Sequence, residues 1–181
     1  MDAPIQSSAD TPVTNSGTER ERQRSTRLKD GFRPGVCMFI VRITTVSEEL
    51  VSAVKRLIPQ LKLGVSFPTE RELQKLVDST SSILLIARYP DEEAPIAGIL
   101  TLVIYRVPTG VRARIEDVVV DESARGRGIG EALVRHALMV AREAGADGVA
   151  LTSNPKREAA NRLYLRMGFK FWETNLYFYK F

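Results

Sequence analysis

The chain holds one cysteine and one histidine in 181 residues. A lone thiol cannot close an internal disulfide, and neither Cys37 nor His136 has ligand-type neighbours at metal-binding spacing, so no metal is expected. Long apolar runs are missing as well. None approaches the roughly eighteen consecutive apolar residues that a membrane-spanning helix requires, which sets aside a membrane partner. There are no internal repeats, and hence no solenoid or propeller. Charge of one sign is not in marked excess: 26 basic against 22 acidic residues leave +4, interspersed over most of the chain, too mixed a surplus to favour nucleic acid. What remains is an ordinary apolar fraction of 44% in a length suited to one domain plus an extension. A cytoplasmic location is the corresponding expectation.

Large apolar side chains are scarce at the start too, with hardly one before Leu28 and Phe32. Ser, Thr, Pro and charge dominate residues 1–37, a composition that buries too little surface to offset the entropy of ordering, so a flexible tail is expected there and a single domain over 38–181. Its arginines (Arg20, Arg22, Arg24, Arg27, Arg33) suggest a transit peptide, whereas Asp2, Asp10, Glu19, Glu21 and Asp30 argue against one. A natural tail and a start at Met38 both fit.

Beyond the tail the pattern becomes regular. Residues 39–43 read as a strand, and Thr45 with Glu48 forms a capping box opening a helix that Pro59 stops. Thr69 with Glu72 opens a shorter helix. Residues 83–89 and 96–105 are β-branched runs joined by a hairpin signal at 90–93, and a turn at 107–110 leads to a third strand, giving a meander. A long helix ends at Gly145, and a short buried strand follows at 149–152. Strand, helix, strand implies a crossover that sets the last two strands parallel. His136 on that helix reads as a surface or satisfied residue. Asn154-Pro155 opens another helix, which Gly168 closes, and 169–172 with 176–181 read as an aromatic hairpin packed on the core.

The most informative stretch is 115–144. A strand containing Val118, Val119 and Val120 runs through a polar turn into Arg125-Gly126-Arg127-Gly128-Ile129-Gly130 and then a helix. Alternate glycines let backbone N–H groups approach a bulky anion, the helix start adds unpaired amides, and the arginines add charge. The spacing matches neither the dinucleotide fingerprint nor the P-loop, which disfavours NAD and ATP.

This loop resembles the pyrophosphate loop of the GNAT superfamily of N-acetyltransferases, and Tyr164 followed four residues later by Gly168-Phe169 resembles that family's closing element. The resemblance covers about residue 39 onward. It implies an α/β (α+β) fold: a mixed, mostly antiparallel sheet whose central parallel pair splays at a bulge, with helices on both faces. It implies acetyl-CoA as cosubstrate, held by Arg125, Gly126, Arg127, Gly128, Ile129 and Gly130 at the pyrophosphate and by the backbone of Val118, Val119 and Val120 along the pantetheine. The N–H of Val119 becomes the oxyanion donor and Tyr164 the acid for the leaving thiolate. Ile115-Glu116-Asp117 resembles a segment of glucosamine-phosphate acetyltransferases, which makes Glu116 a candidate base, with substrate contact or an ion pair as its other readings. The family's asparagine seven residues before the tyrosine is Arg157 here, so Asn154 and Asn161 are the candidates for its contact with the coenzyme arm. By the same resemblance, 61–68 with Phe67 helps shape the acceptor pocket. The function implied is acetyl transfer to a primary amine of a small molecule, or of a protein lysine or N-terminus, by direct attack; a non-catalytic acyl-CoA-binding module is the alternative. Pairing of two copies through the aromatic hairpin is left open.

Overall fold

The computed structural model describes residues 26–27, 37–62, 64 and 66–181. Of the expected tail, Thr26–Arg27 forms a short strand, β1, and Cys37 precedes the next; the remainder lies outside the described residues, as do Leu63 and Val65 of the acceptor-side loop. There follow β2 (Phe39–Arg42), α1 (Glu48–Leu61), α2 (Glu70–Val77), β3 (Ser82–Arg88), β4 (Ile96–Val107), β5 (Gly110–Val120), a single 3-10 turn (Glu122–Ala124), α3 (Ile129–Glu143), β6 (Val149–Leu151) and α4 (Glu158–Arg166). The sheet runs in chain order from β1 to β6, antiparallel throughout except for the parallel pair β5 and β6. The expected mixed sheet is present, and no helix among the described residues is long and apolar enough to cross a membrane.

Each face of the sheet carries its own core. Leu50, Ala53, Val54 and Leu57, spaced three or four apart along α1, pack with Leu73 of α2 against Leu84, Ile86, Ile99 and Val119. Leu133, Val134, Ala137 and Ala141 of α3 cover Leu85, Leu100, Leu102 and Ile115 on the other face, where Tyr164 of α4 joins them. A fully buried leucine contributes about 1.5–3 kcal/mol, so either layer is enough to hold its helices down.

Between the two cores β5 changes sides. Ile99 pairs with Val119 and Thr101 with Glu116, which leaves Asp117 and Val118 together opposite Leu100. That is a β-bulge, and Asp117 adopts φ 50 within it. The extra residue inverts the alternation: Ile115 lies in the α3 core, whereas Val119, four residues on, lies in the α1 core. The bulge that the family resemblance implied is therefore built at Asp117-Val118.

Several local expectations shift. The cap of α1 is Ser47, whose side chain accepts from Leu50 N at 3.2 Å, rather than Thr45. Pro59 lies inside α1, which continues to Leu61, and Gln60 Nε2 donates to Arg56 O within that last turn. The α2 capping box forms as expected. Helix α4 begins at Glu158 rather than at Pro155, because Asn154 Oδ1 accepts from Lys156 N and holds a turn there. Strand β6 is half-buried rather than buried. The terminal hairpin does not form: 169–181 contains neither strand nor helix, and while Phe169 packs on the core, the aromatic side chains from Phe171 onward are exposed.

Candidate functional site

The bulge prepares an opening. The last register pair between β5 and β6 is Ile115 with Leu151, so β5 runs on from Glu116 to Val120 without a partner on its β6 side. In the gap lies a cavity of about 730 Å³ bounded by Val118, Val119 and Val120, the loop, the first turn of α3 and the inner side of α4.

At its base, Gly126 and Gly128 take φ of 76 and 82, a region that residues with a β-carbon avoid. Gly128 caps α3 without any side-chain hydrogen bond, which leaves the first amides of that helix facing the cavity with no side-chain cap competing for them. The start of α3 is pressed onto the sheet at Gly98, where an added β-carbon would come within 3.0 Å of Val119 O and 3.2 Å of Leu133. Upstream, buried Asp121 accepts from Ser123 N and Oγ and is ion-paired with Arg56, which fixes the turn leading into the loop. Arg125 donates through Nε to Val120 O at 3.1 Å and through Nη2 to Gln60 Oε1 at 3.3 Å. Glu131, the one charged residue in the first turn of α3, is held low in pKa by a hydrogen bond from Arg135 and a second from Arg166.

Tyr164 closes the far end. Its ring meets Phe169 edge to face at 5.8 Å, and burial raises its phenol pKa while the nearby charge of Arg157 opposes that rise. The helix behind it ends in a Schellman cap, with Phe169 N on Tyr164 O and Gly168 N on Leu165 O, both 3.0 Å, and Gly168 at φ 94.

The cavity thus gathers Val118, Val119, Val120, Arg125, Gly126, Gly128, Ile129, Gly130 and Tyr164. Four other candidates stand outside its lining. Glu116 is ion-paired with Arg114, which also reaches Thr152 Oγ1 at 3.3 Å. The guanidinium of Arg127 lies 5.2 Å from the centre of the Tyr89 ring. Asn161 Nδ2 donates to Asn154 O at 3.0 Å, so both asparagines hold the turn before α4. Sequence reasoning missed Gln60 and the lining role of Arg157, while Leu61, the first residue of the expected acceptor-side loop, does line the cavity. Arg157 donates to Leu61 O at 2.6 Å, a cation capping the carbonyl end of α1 from the opposite wall. The departure at position 157 was the signal available in the sequence; its partner, 96 residues away, was not.

The Acetyltransferase (GNAT) family model matches residues 54–169. The chain belongs to this family. Among GNAT relatives, it is 43% identical over 60 residues to a probable glucosamine 6-phosphate N-acetyltransferase 2 of Oryza sativa subsp. japonica, covering 33% of this chain and 34% of that protein. It is 45% identical over 60 residues to a streptothricin acetyltransferase of Streptomyces lavendulae, covering 33% and 32% respectively. The chain thus spans about a third of the length of these curated relatives. In structure it is similar to a transcriptional regulator from Bacillus halodurans C-125, with TM-score 0.64, 27% identity and coverage of 78% of this chain and 99% of that one. An aminoglycoside acetyltransferase from an uncultured soil metagenomic sample, in complex with sisomicin, aligns with TM-score 0.65, 22% identity and coverage of 80% and 95%, a likeness of fold alone.

Proposed function

We propose that this GNAT protein is an acetyl-CoA-dependent N-acetyltransferase that passes the acetyl group to a primary amine by direct attack in a ternary complex. The observation that carries the reading is the single cavity that joins the glycine loop at one end to the buried phenol of Tyr164 at the other. A diphosphate at the helix start and a thioester near the phenol are the two ends of one extended ligand.

The amine nitrogen attacks the thioester carbonyl, and the backbone N–H of Val119 on the bulged strand is the proposed donor to the oxyanion. As the C–S bond breaks, Tyr164 gives its proton to the thiolate, a transfer between groups of similar acidity. Glu116 is the proposed acceptor of the amine proton, through water, since it stands outside the lining beside Arg114. The absence of a Cys or Ser nucleophile in the lining accords with direct attack. Relatives named for glucosamine 6-phosphate, streptothricin and aminoglycosides favour a small polar amine over a protein lysine or N-terminus. A cytoplasmic enzyme fits a chain whose one cysteine leaves it no internal disulfide. Action as a homodimer belongs to the same reading.

Calorimetry with acetyl-CoA, followed by thiol release across a panel of aminoglycosides, amino-sugars and polyamines, tests it. Binding with turnover of one amine class is expected. Binding without turnover on any amine would favour the acyl-CoA-binding module, and no heat from well-folded protein would remove both.

A further inference from the structure

The charges around the cavity do not cancel. Two carboxylates line it and both are committed: Glu131 pairs with Arg135 and Arg166, and Glu158 pairs with Arg162. The lining cations Arg125, Lys156 and Arg157 stand in no ion pair among the described residues. Arg125, tied to Val120 O and Gln60 Oε1, lies at the glycine loop, where the diphosphate is proposed to sit.

Arg157 lies at the other end. Burial raises the pKa of the Tyr164 phenol and the charge of Arg157 opposes the rise, so the guanidinium is close enough to act on the proposed acid. Its one hydrogen bond runs from Nη2 to Leu61 O at 2.6 Å, on the first residue of the loop expected to shape the acceptor pocket. A guanidinium is a fork of several N–H donors, and those not spent on Leu61 have no partner among the described residues. Lys156 adds a second unpaired cation to the same wall. Beyond the lining, Glu116, the proposed acceptor of the amine proton, is already paired with Arg114. A polycationic acceptor would therefore bring positive charge against Lys156 and Arg157 with no uncommitted carboxylate in the lining to receive it.

We propose that the acceptor is an amine that also carries a phosphate or carboxylate, and that the unspent N–H groups of Arg157 bind that anion and select for it. The guanidinium fork matches either anion in two parallel hydrogen bonds, which fixes its orientation as well as its position. The bond to Leu61 O holds the fork in place before the acceptor arrives, so little ordering is left to pay on binding. This rests on the N-acetyltransferase reading and narrows its acceptor from small polar amines to those bearing a negative group.

Thiol release is measured for two pairs of amines that differ chiefly in the anion, glucosamine 6-phosphate against glucosamine and β-alanine against β-alaninamide, with spermidine as the polycation. In the wild-type protein kcat/KM is expected to be about tenfold or more higher for the anionic member of one pair, and the pair that shows it tells phosphate from carboxylate. Arg157→Gln should abolish the preference by raising KM for the anionic member alone, and Arg157→Lys, which keeps the charge without the fork, should restore part of it. Any effect of either variant on Tyr164 changes kcat for both members of a pair alike and leaves their ratio intact. The wild-type comparison stands whether or not a variant folds. Equal rates within both pairs, a preference for the neutral members or for spermidine, or an anion preference that survives in Arg157→Gln would each overturn the proposal and leave acetyl transfer standing. Heat from acetyl-CoA with no thiol released from any amine would remove the enzymatic reading and this acceptor with it.

Discussion

Tyr164 sits between two influences, burial that raises its pKa and the charge of Arg157 that opposes the rise. Tyr164→Phe removes the hydroxyl while keeping the ring against Phe169. Turnover is expected to fall about 10²-fold or more, with acetyl-CoA affinity within about twofold, measured by thiol release and calorimetry. Unchanged turnover would remove the phenol from the acid's role. Arg157→Gln leaves burial unopposed, so the phenol holds its proton to higher pH. The alkaline limb of the kcat profile therefore moves up, whereas Arg157→Lys, which keeps the charge, returns it toward wild type; a limb indifferent to both variants would separate Arg157 from the acid. His136 offers a different test. It is buried, its Nδ1 has no partner, and desolvation lowers its pKa from 6.5, with Glu143 opposing weakly. A base whose folded pKa is depressed contributes in full above its unfolded value of 6.5 and loses that contribution as pH falls from there through the lower folded value. Glu49, Glu72 and Glu131, held low chiefly by hydrogen bonds from Arg88, Thr69 and Arg135, lose theirs only below an unfolded value of 4.5. Thermal melts from about pH 8 to about pH 5 should therefore show a decline that His136→Leu flattens, and equal slopes in both proteins would contradict it.

Helices meet the cavity through their ends, and the ends decide how it works. Gly128 is the cap of α3 in a left-handed conformation, so Gly128→Ala costs about 1–2 kcal/mol of backbone strain and also sets a methyl group among the amides proposed to hold the diphosphate. Acetyl-CoA binding should weaken about tenfold or more by calorimetry, and wild-type affinity in the variant would move the diphosphate elsewhere. That site was legible because strand, turn, glycines and helix are contiguous in sequence. The capping box of α2 was legible for the same reason, since Thr69 and Glu72 find each other within one turn. The cap of α1 falls at Ser47 rather than at the expected Thr45, a choice set by how α1 lies across the sheet, which no short window contains. The wall opposite the loop was the least readable. Gln60 reaches Glu122 N and Arg125, and Leu61 receives Arg157, joining residues 62 to 96 positions apart that the folded sheet alone brings together.

At the scale of the molecule, the meander and the crossover dictated the strand order, because short connections leave few ways to pair consecutive strands. The same reasoning failed at 169–181. An aromatic pattern says that a segment suits a sheet, not which edge takes it, and the side chains from Phe171 onward stay exposed. If the protein acts as the homodimer proposed above, mass action makes its stability depend on concentration. The melting temperature of the full chain should rise steadily over a hundredfold increase in protein concentration. A full chain that melts at a single temperature across the range would contradict the homodimer.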